Sequence, residues 1–151
     1  MALQFVTKNS LARIDESIQG EPASVDGTKT ANLDLPYDIG FIAGYNQDYV
    51  AEMVAVRTYG QVVMGRKGTF VGTVGYLDSG PNGNTIIDIE KNGTSIFSTK
   101  PQFTQTLALS GGTLSSTPTF NTRDRITFKV TAIGLASQPG TGMRVILKCK
   151  V

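Results

Sequence analysis

The sequence predicts an all-β protein: an antiparallel β-sandwich of jelly-roll-like type, preceded by an extended N-terminal arm. Three observations predict it. An Asn92-Gly93 pair separates two alternating runs, Thr85–Lys91 and Thr94–Ser98, and Asn-Gly is the strongest short-range hairpin signal because both turn positions need positive φ. The run Met143–Val151 alternates, with Met143, Val145, Leu147, Cys149 and Val151 on one face and Arg144, Lys148 and Lys150 on the other, as a half-buried strand requires. Short strand-like runs also recur about every 8–12 residues with turn signals between them, the spacing of a sandwich or jelly roll.

Residues 1–33 read as arm and linker, and residues 34–151 as the sandwich. Within the arm, Leu3–Thr7 is strand-like, and Leu11, Ile14 and Ile18 recur at helical spacing after Asn9 or Ser10 as N-cap, with Gly20 as a stop. A helix of about eight residues is marginal alone because its nucleation cost is spread over too few turns. The stretch Gln19–Asn32 holds few large apolar residues and reads as linker. Ordering some 30 residues costs on the order of 45 kcal/mol, at about 1.5 per residue. A segment so poor in apolar groups does not offset that against its own domain, so the expectation is that it lies across neighbouring subunits. The alternative is an extra edge strand on its own sheet.

From residue 34 on the pattern is β. Tyr37–Ala43 alternates, with Tyr37, Ile39, Phe41 and Ala43 on one face. Pro36, Gly40 and Gly44 argue against a helix there. A turn follows through Gly44–Asp48. Strands are expected at Glu52–Thr58, Gln61–Met64 and Thr69–Tyr76, with Gly65–Gly68 as a turn. Phe103–Leu109, Leu114–Phe120 and Arg125–Ile133 continue the series, and in the last of these Ile126, Phe128, Val130 and Ala132 share a face.

Composition mostly excludes chemistries. The 151 residues include no His, which removes Ser-His and Cys-His catalysis, His metal sites and His switching. The single Cys149 excludes an intrachain disulfide and a Cys-based zinc site. Net charge is +2, and the longest basic cluster is Arg66-Lys67. That is too thin for a stripe that tracks phosphates, so no nucleic-acid partner is expected. No apolar run approaches the roughly 18 residues of a membrane span, and the N-terminus lacks the order of a signal peptide, so synthesis is expected in the cytoplasm.

Leu35–Tyr45, Val56–Gly60, Val71–Tyr76, Ile87–Phe97, Thr99–Pro101, Arg123–Phe128 and Thr131–Gly134 together resemble a β-sandwich domain of tailed-phage virions. The most specific part is the hairpin Asp88-Ile-Glu-Lys-Asn-Gly-Thr-Ser-Ile96 followed by the late strand Asp124-Arg-Ile-Thr-Phe128. The family pattern often places Gly-Asp before that strand. Here it is Arg123-Asp124, a departure expected to alter only the turn. The resemblance implies a non-enzymatic capsid cement or decoration subunit on the virion surface, a dimer or trimer that bridges neighbouring copies of the major capsid protein. Leu3, Phe5, Val6, Leu11, Ile14 and Ile18 of the arm are the expected contacts. The alternative is a tail-fibre or baseplate module recognising host carbohydrate through loops such as Asp78–Asn84 or Ser110–Ser116.

Other candidate chemistry has plainer explanations. Gly65-Arg-Lys-Gly68 matches a nucleic-acid clamp loop, but strands flank it and a β-turn explains it. Asp78–Asn84 with Asp88 offers oxygen ligands without calcium-loop spacing, so no metal and no cofactor are expected. Asp88 and Glu90 share a strand face, about 7 Å apart by strand rise, and are expected to be a solvent-facing pair rather than glycosidase acids. Of Tyr37, Tyr45, Tyr49, Tyr59 and Tyr76, alternation places at least two in the core and leaves others as possible stacking residues for a sugar. Cys149 is expected to be an inert core residue.

Overall fold

The computed structural model describes residues 35–116 and 118–151, so the arm and its six expected contact residues lie outside the described residues. The strands are β1 (Ile39–Ala43), β2 (Arg57–Val63), β3 (Gly68–Ser79), β4 (Asn84–Lys91), β5 (Thr94–Ser95), β6 (Phe97–Thr99), β7 (Gln102–Thr104), β8 (Thr113–Leu114), β9 (Thr119–Phe120), β10 (Arg125–Ala132) and β11 (Thr141–Lys150). Every ladder is antiparallel.

One sheet runs β1-β11-β3-β9. A second runs β2-β10-β4-β5, with β7 also on β4, and β6 pairs with β8 apart from both. The pairings are nested: β1 with β11, β2 with β10, β3 with β9, β4 with β7. A chain folded back on itself in this way and rolled into two sheets is a jelly roll.

The sheets close on a shared core. Phe41 of β1 stacks on Phe128 of β10 at a ring separation of 5.2 Å, and Tyr59 of β2 lies 6.3 Å from the same ring. Phe70 and Phe120 meet at 4.9 Å within the first sheet. Around them are buried Leu77, Ile87, Ile89, Ile126, Val130, Met143, Val145 and Leu147, each contributing roughly 1.5–3 kcal/mol of burial. Alternation on β1 and β11 is as expected, with Arg144, Lys148 and Lys150 outside.

Four expectations need correction. The predicted strand Glu52–Thr58 gives way to a segment whose backbone bonds to Gly44, Gly140 and Gly142, and the ladder begins only at Arg57. Phe103–Leu109 is broken where Gln105 takes a φ of 57°, after which the chain crosses to flank β3 through Leu107 and Leu109. Leu114–Phe120 is two short strands in different sheets. Pro118, which has no N–H to give a ladder, lies between them and accepts from the Phe70 N–H. On β10, the register slips between Val130 and Ala132, which leaves Ala132 half-buried rather than in the core row.

Asn92 and Gly93 form the expected turn, with φ of 51° and 90°. Asn92 does more than turn the chain. Its Nδ2 donates to Asp124 Oδ1 at 2.8 Å, and its Oδ1 accepts from the Arg125 N–H at 2.8 Å. The hairpin is thereby tied to the entry of β10, where Asp124 also accepts from the Asn121 N–H at 2.8 Å.

Arg123 sits at φ 75°, a conformation that glycine takes without the Cβ penalty. Arg123→Gly is therefore expected to raise stability by about 1 kcal/mol, read as a shift in denaturant midpoint at unchanged slope. The Asp124 carboxyl is held below its ordinary 3.8, first by the Asn121 N–H and then by the Asn92 amide. A depressed carboxylate stabilises the fold above its unfolded-state pKa, and that contribution is lost as pH falls through the lower folded-state value. Asp124→Asn should melt below the parent at neutral pH, with the gap closing below about pH 4, as followed by thermal circular dichroism across pH.

Candidate functional site

Three surface features stand out, and the first is the outer face of the β1-β11-β3 sheet. The register sets Gly40, Ile146 and Val74 in one row and Ile42, Arg144 and Tyr76 in the next. Ile42, Val74, Tyr76 and Ile146 are exposed, as is Val71 at the register slip in β3. Cross-strand neighbours stand about 4.5–5.5 Å apart, so Ile146 and Val74 stand side by side and Ile42 and Tyr76 flank Arg144 in the next row, an apolar strip broken by Arg144 and bordered by Lys148. An apolar strip of this kind on a sheet face marks an interaction surface more readily than scattered exposed residues do.

At one end of that face Arg144 Nη1 binds Asp78 Oδ1 at 2.6 Å and the Tyr45 hydroxyl donates to Asp78 Oδ2 at 2.9 Å. The Arg144 guanidinium lies 5.0 Å over the Tyr45 ring. Arg144 and then Tyr45 hold the Asp78 carboxyl below its usual range. Burial, and then the bond to Asp78, push the Tyr45 hydroxyl up. The three groups satisfy one another, so they form a brace rather than an acid–base pair. Gly142 makes room for it: at φ 60°, a Cβ there would collide with Asp78 and the Tyr45 hydroxyl.

The third feature is a cleft of about 350 Å³ between the end of β1, the turn at residues 44–50 and the start of β2, lined by Tyr45, Tyr49, Tyr59, Arg57, Asn46 and Gln47 among others. Asn46 Oδ1 accepts the N–H groups of Asp48 and Val50 at 3.0 and 2.9 Å and closes the turn. Tyr49 projects from it, 77% exposed and at φ 57°. The Tyr59 hydroxyl accepts from the Ala55 N–H at 2.7 Å, and the Arg57 guanidinium lies 4.5 Å over the Tyr59 ring. A larger cleft, about 520 Å³, is lined by Met53, Ser79–Asn82, Gln105 and residues 137–141, without a charged or aromatic side chain.

The tyrosines divide accordingly. Tyr37 and Tyr59 pack on the core, Tyr45 joins the brace, and Tyr49 and Tyr76 are exposed. The acidic pair is not solvent-facing, which corrects the sequence reading. Asp88 is 2% exposed, accepts from Ser95 Oγ at 2.6 Å and pairs with Lys100 at 2.8 Å, while Glu90 pairs with Lys129 at 2.6 Å. Each carboxylate has its own ammonium partner, which suits neither a proton donor nor a free base. Asp78 and Asp88 bind different partners, and no group of three metal-ligating acidic or thiol side chains converges among the described residues. The segment Gly65–Gly68 joins β2 to β3, strands of different sheets. Cys149 lies in the core, where burial pushes its thiol up to about 12, so little of it is in the reactive thiolate form near neutral pH.

The arrangement missed by sequence reading is the juxtaposition of Tyr45, Asp78 and Arg144, together with the cleft that Arg57 and Tyr49 both line. Alternation places Arg144 outward, but Tyr45 belongs to an expected turn and Asp78 to an expected loop, and the brace joins positions far apart in the chain. Comparison with protein-family models and with curated proteins returns no match for this chain.

Proposed function

We propose that this protein is a non-enzymatic structural subunit of a tailed-phage virion, a capsid cement or decoration protein bridging neighbouring major capsid subunits. The observation that carries the reading is the apolar strip Ile42, Val74, Tyr76 and Ile146 on the outer face of a jelly roll. Burying such a strip against another protein removes apolar surface from water at about 25 cal/mol per Å². Jelly rolls recur in viral capsids, though a fold alone does not assign a function. The motifs Asp88–Ile96 and Asp124–Phe128, on which the resemblance to virion sandwiches rests, are tied together by Asn92.

In this reading the strip seats the sandwich, as a dimer or trimer, on the capsid. The N-terminal arm reaches adjacent capsid subunits through Leu3, Phe5, Val6, Leu11, Ile14 and Ile18. Once the sandwich is seated, the arm binds at raised effective concentration, so two modest contacts combine into a tight one.

The test is occupancy on purified particles, measured by quantitative gels and electron microscopy. The full chain is expected in hundreds of copies per virion, the order that an icosahedral shell offers through repeated symmetric sites. Ile146→Glu should lower occupancy by about tenfold or more with the fold intact, and deletion of residues 1–20 should abolish it. Undiminished occupancy in both variants refutes the reading.

A further inference from the structure

We propose that the cleft between the turn at residues 44–50 and β2 binds an acidic saccharide, with a sugar ring face on Tyr49 and the sugar carboxylate on Arg57. The inference goes beyond the assembly role and does not depend on it. A turn that only reversed the chain would have Gly or Asn at the positive-φ position. Here a tyrosine occupies it, 77% exposed, on a loop locked by the Asn46 side chain. An exposed ring on a backbone fixed in this way offers an apolar face with a polar edge. A pyranose has the matching form, a C–H face ringed by hydroxyls.

Arg57 supplies the charge preference. Its guanidinium lies 4.5 Å over the ring of Tyr59, which is fixed by the Ala55 N–H and by packing on Phe128. Arg144 gives its fork to Asp78, whereas Arg57 makes no ion pair or hydrogen bond among the described residues. An oriented planar fork with free donors matches a carboxylate in bidentate geometry. Asn46 Nδ2 and the Gln47 amide add donors for hydroxyls at the same wall, and the acids of this loop, Asp48 and Glu52, lie off it. The volume, about 350 Å³, is at the small end for small-molecule sites, which suits a short saccharide.

The test titrates the full chain by calorimetry and saturation-transfer NMR with trigalacturonate, sialyllactose, neutral maltotriose and inorganic phosphate. At least one acidic saccharide should saturate the site and bind about tenfold tighter than maltotriose. Tyr49→Asn, which keeps a residue tolerant of the turn's φ, should weaken it by about tenfold. Arg57→Gln should do the same while leaving maltotriose unaffected. Circular dichroism verifies that both variants fold. The proposal is overturned if neither acidic probe saturates by about 10 mM, if maltotriose or phosphate binds as tightly, or if either variant retains full affinity.

Discussion

The contact on which the rest of the molecule leans is the packing around Phe128. Its ring meets Phe41 of the opposite sheet and Tyr59 of the adjacent strand, so one side chain fixes both the separation of the sheets and the seat of Tyr59. Tyr59 in turn carries Arg57. Orientation of the surface cation is thus inherited from the core, through rigid rings rather than through a flexible loop. Truncating Phe128 would remove a packed aromatic at a cost of about 3–5 kcal/mol, and the effect would reach the cleft as well as the stability.

Strong periodicity made part of this fold legible. The alternation of β11 and β1 and the Asn-Gly turn specify their structure locally, because burial on one face and positive φ are demands that each residue meets by itself. Segments whose backbone bonds go to distant loops were not legible. Residues 52–56 look strand-like, yet bond to Gly44, Gly140 and Gly142. Asp88 reads as an outward acid by alternation, and only the return of the chain at Ser95 and Lys100 buries it. A period of two assigns a side chain to a face; it does not report what later covers that face.

The candidate site divides in the same way. Tyr45, Tyr49 and Tyr59 were visible as aromatics, but their different fates depend on partners elsewhere: Asp78 and Arg144 for Tyr45, Phe128 for Tyr59, and the Asn46 turn for Tyr49. Asn92 shows the opposite case. The Asn-Gly pair specifies the turn, and the structure adds a second role, since the Asn92 amide ties the hairpin to the entry of β10.

The nested order of strands also governs how the chain can be made. Ile39 pairs with Leu147 and Ala43 with Met143, so β1 emerges from the ribosome long before its ladder partner is synthesised. Such distant pairing belongs to slow-folding topologies, and an early strand left with open backbone groups is prone to stick to other chains. Gly40 near the middle of β1 and Pro36 just ahead of it weaken that nascent strand as a template, keeping it quiet until β11 arrives.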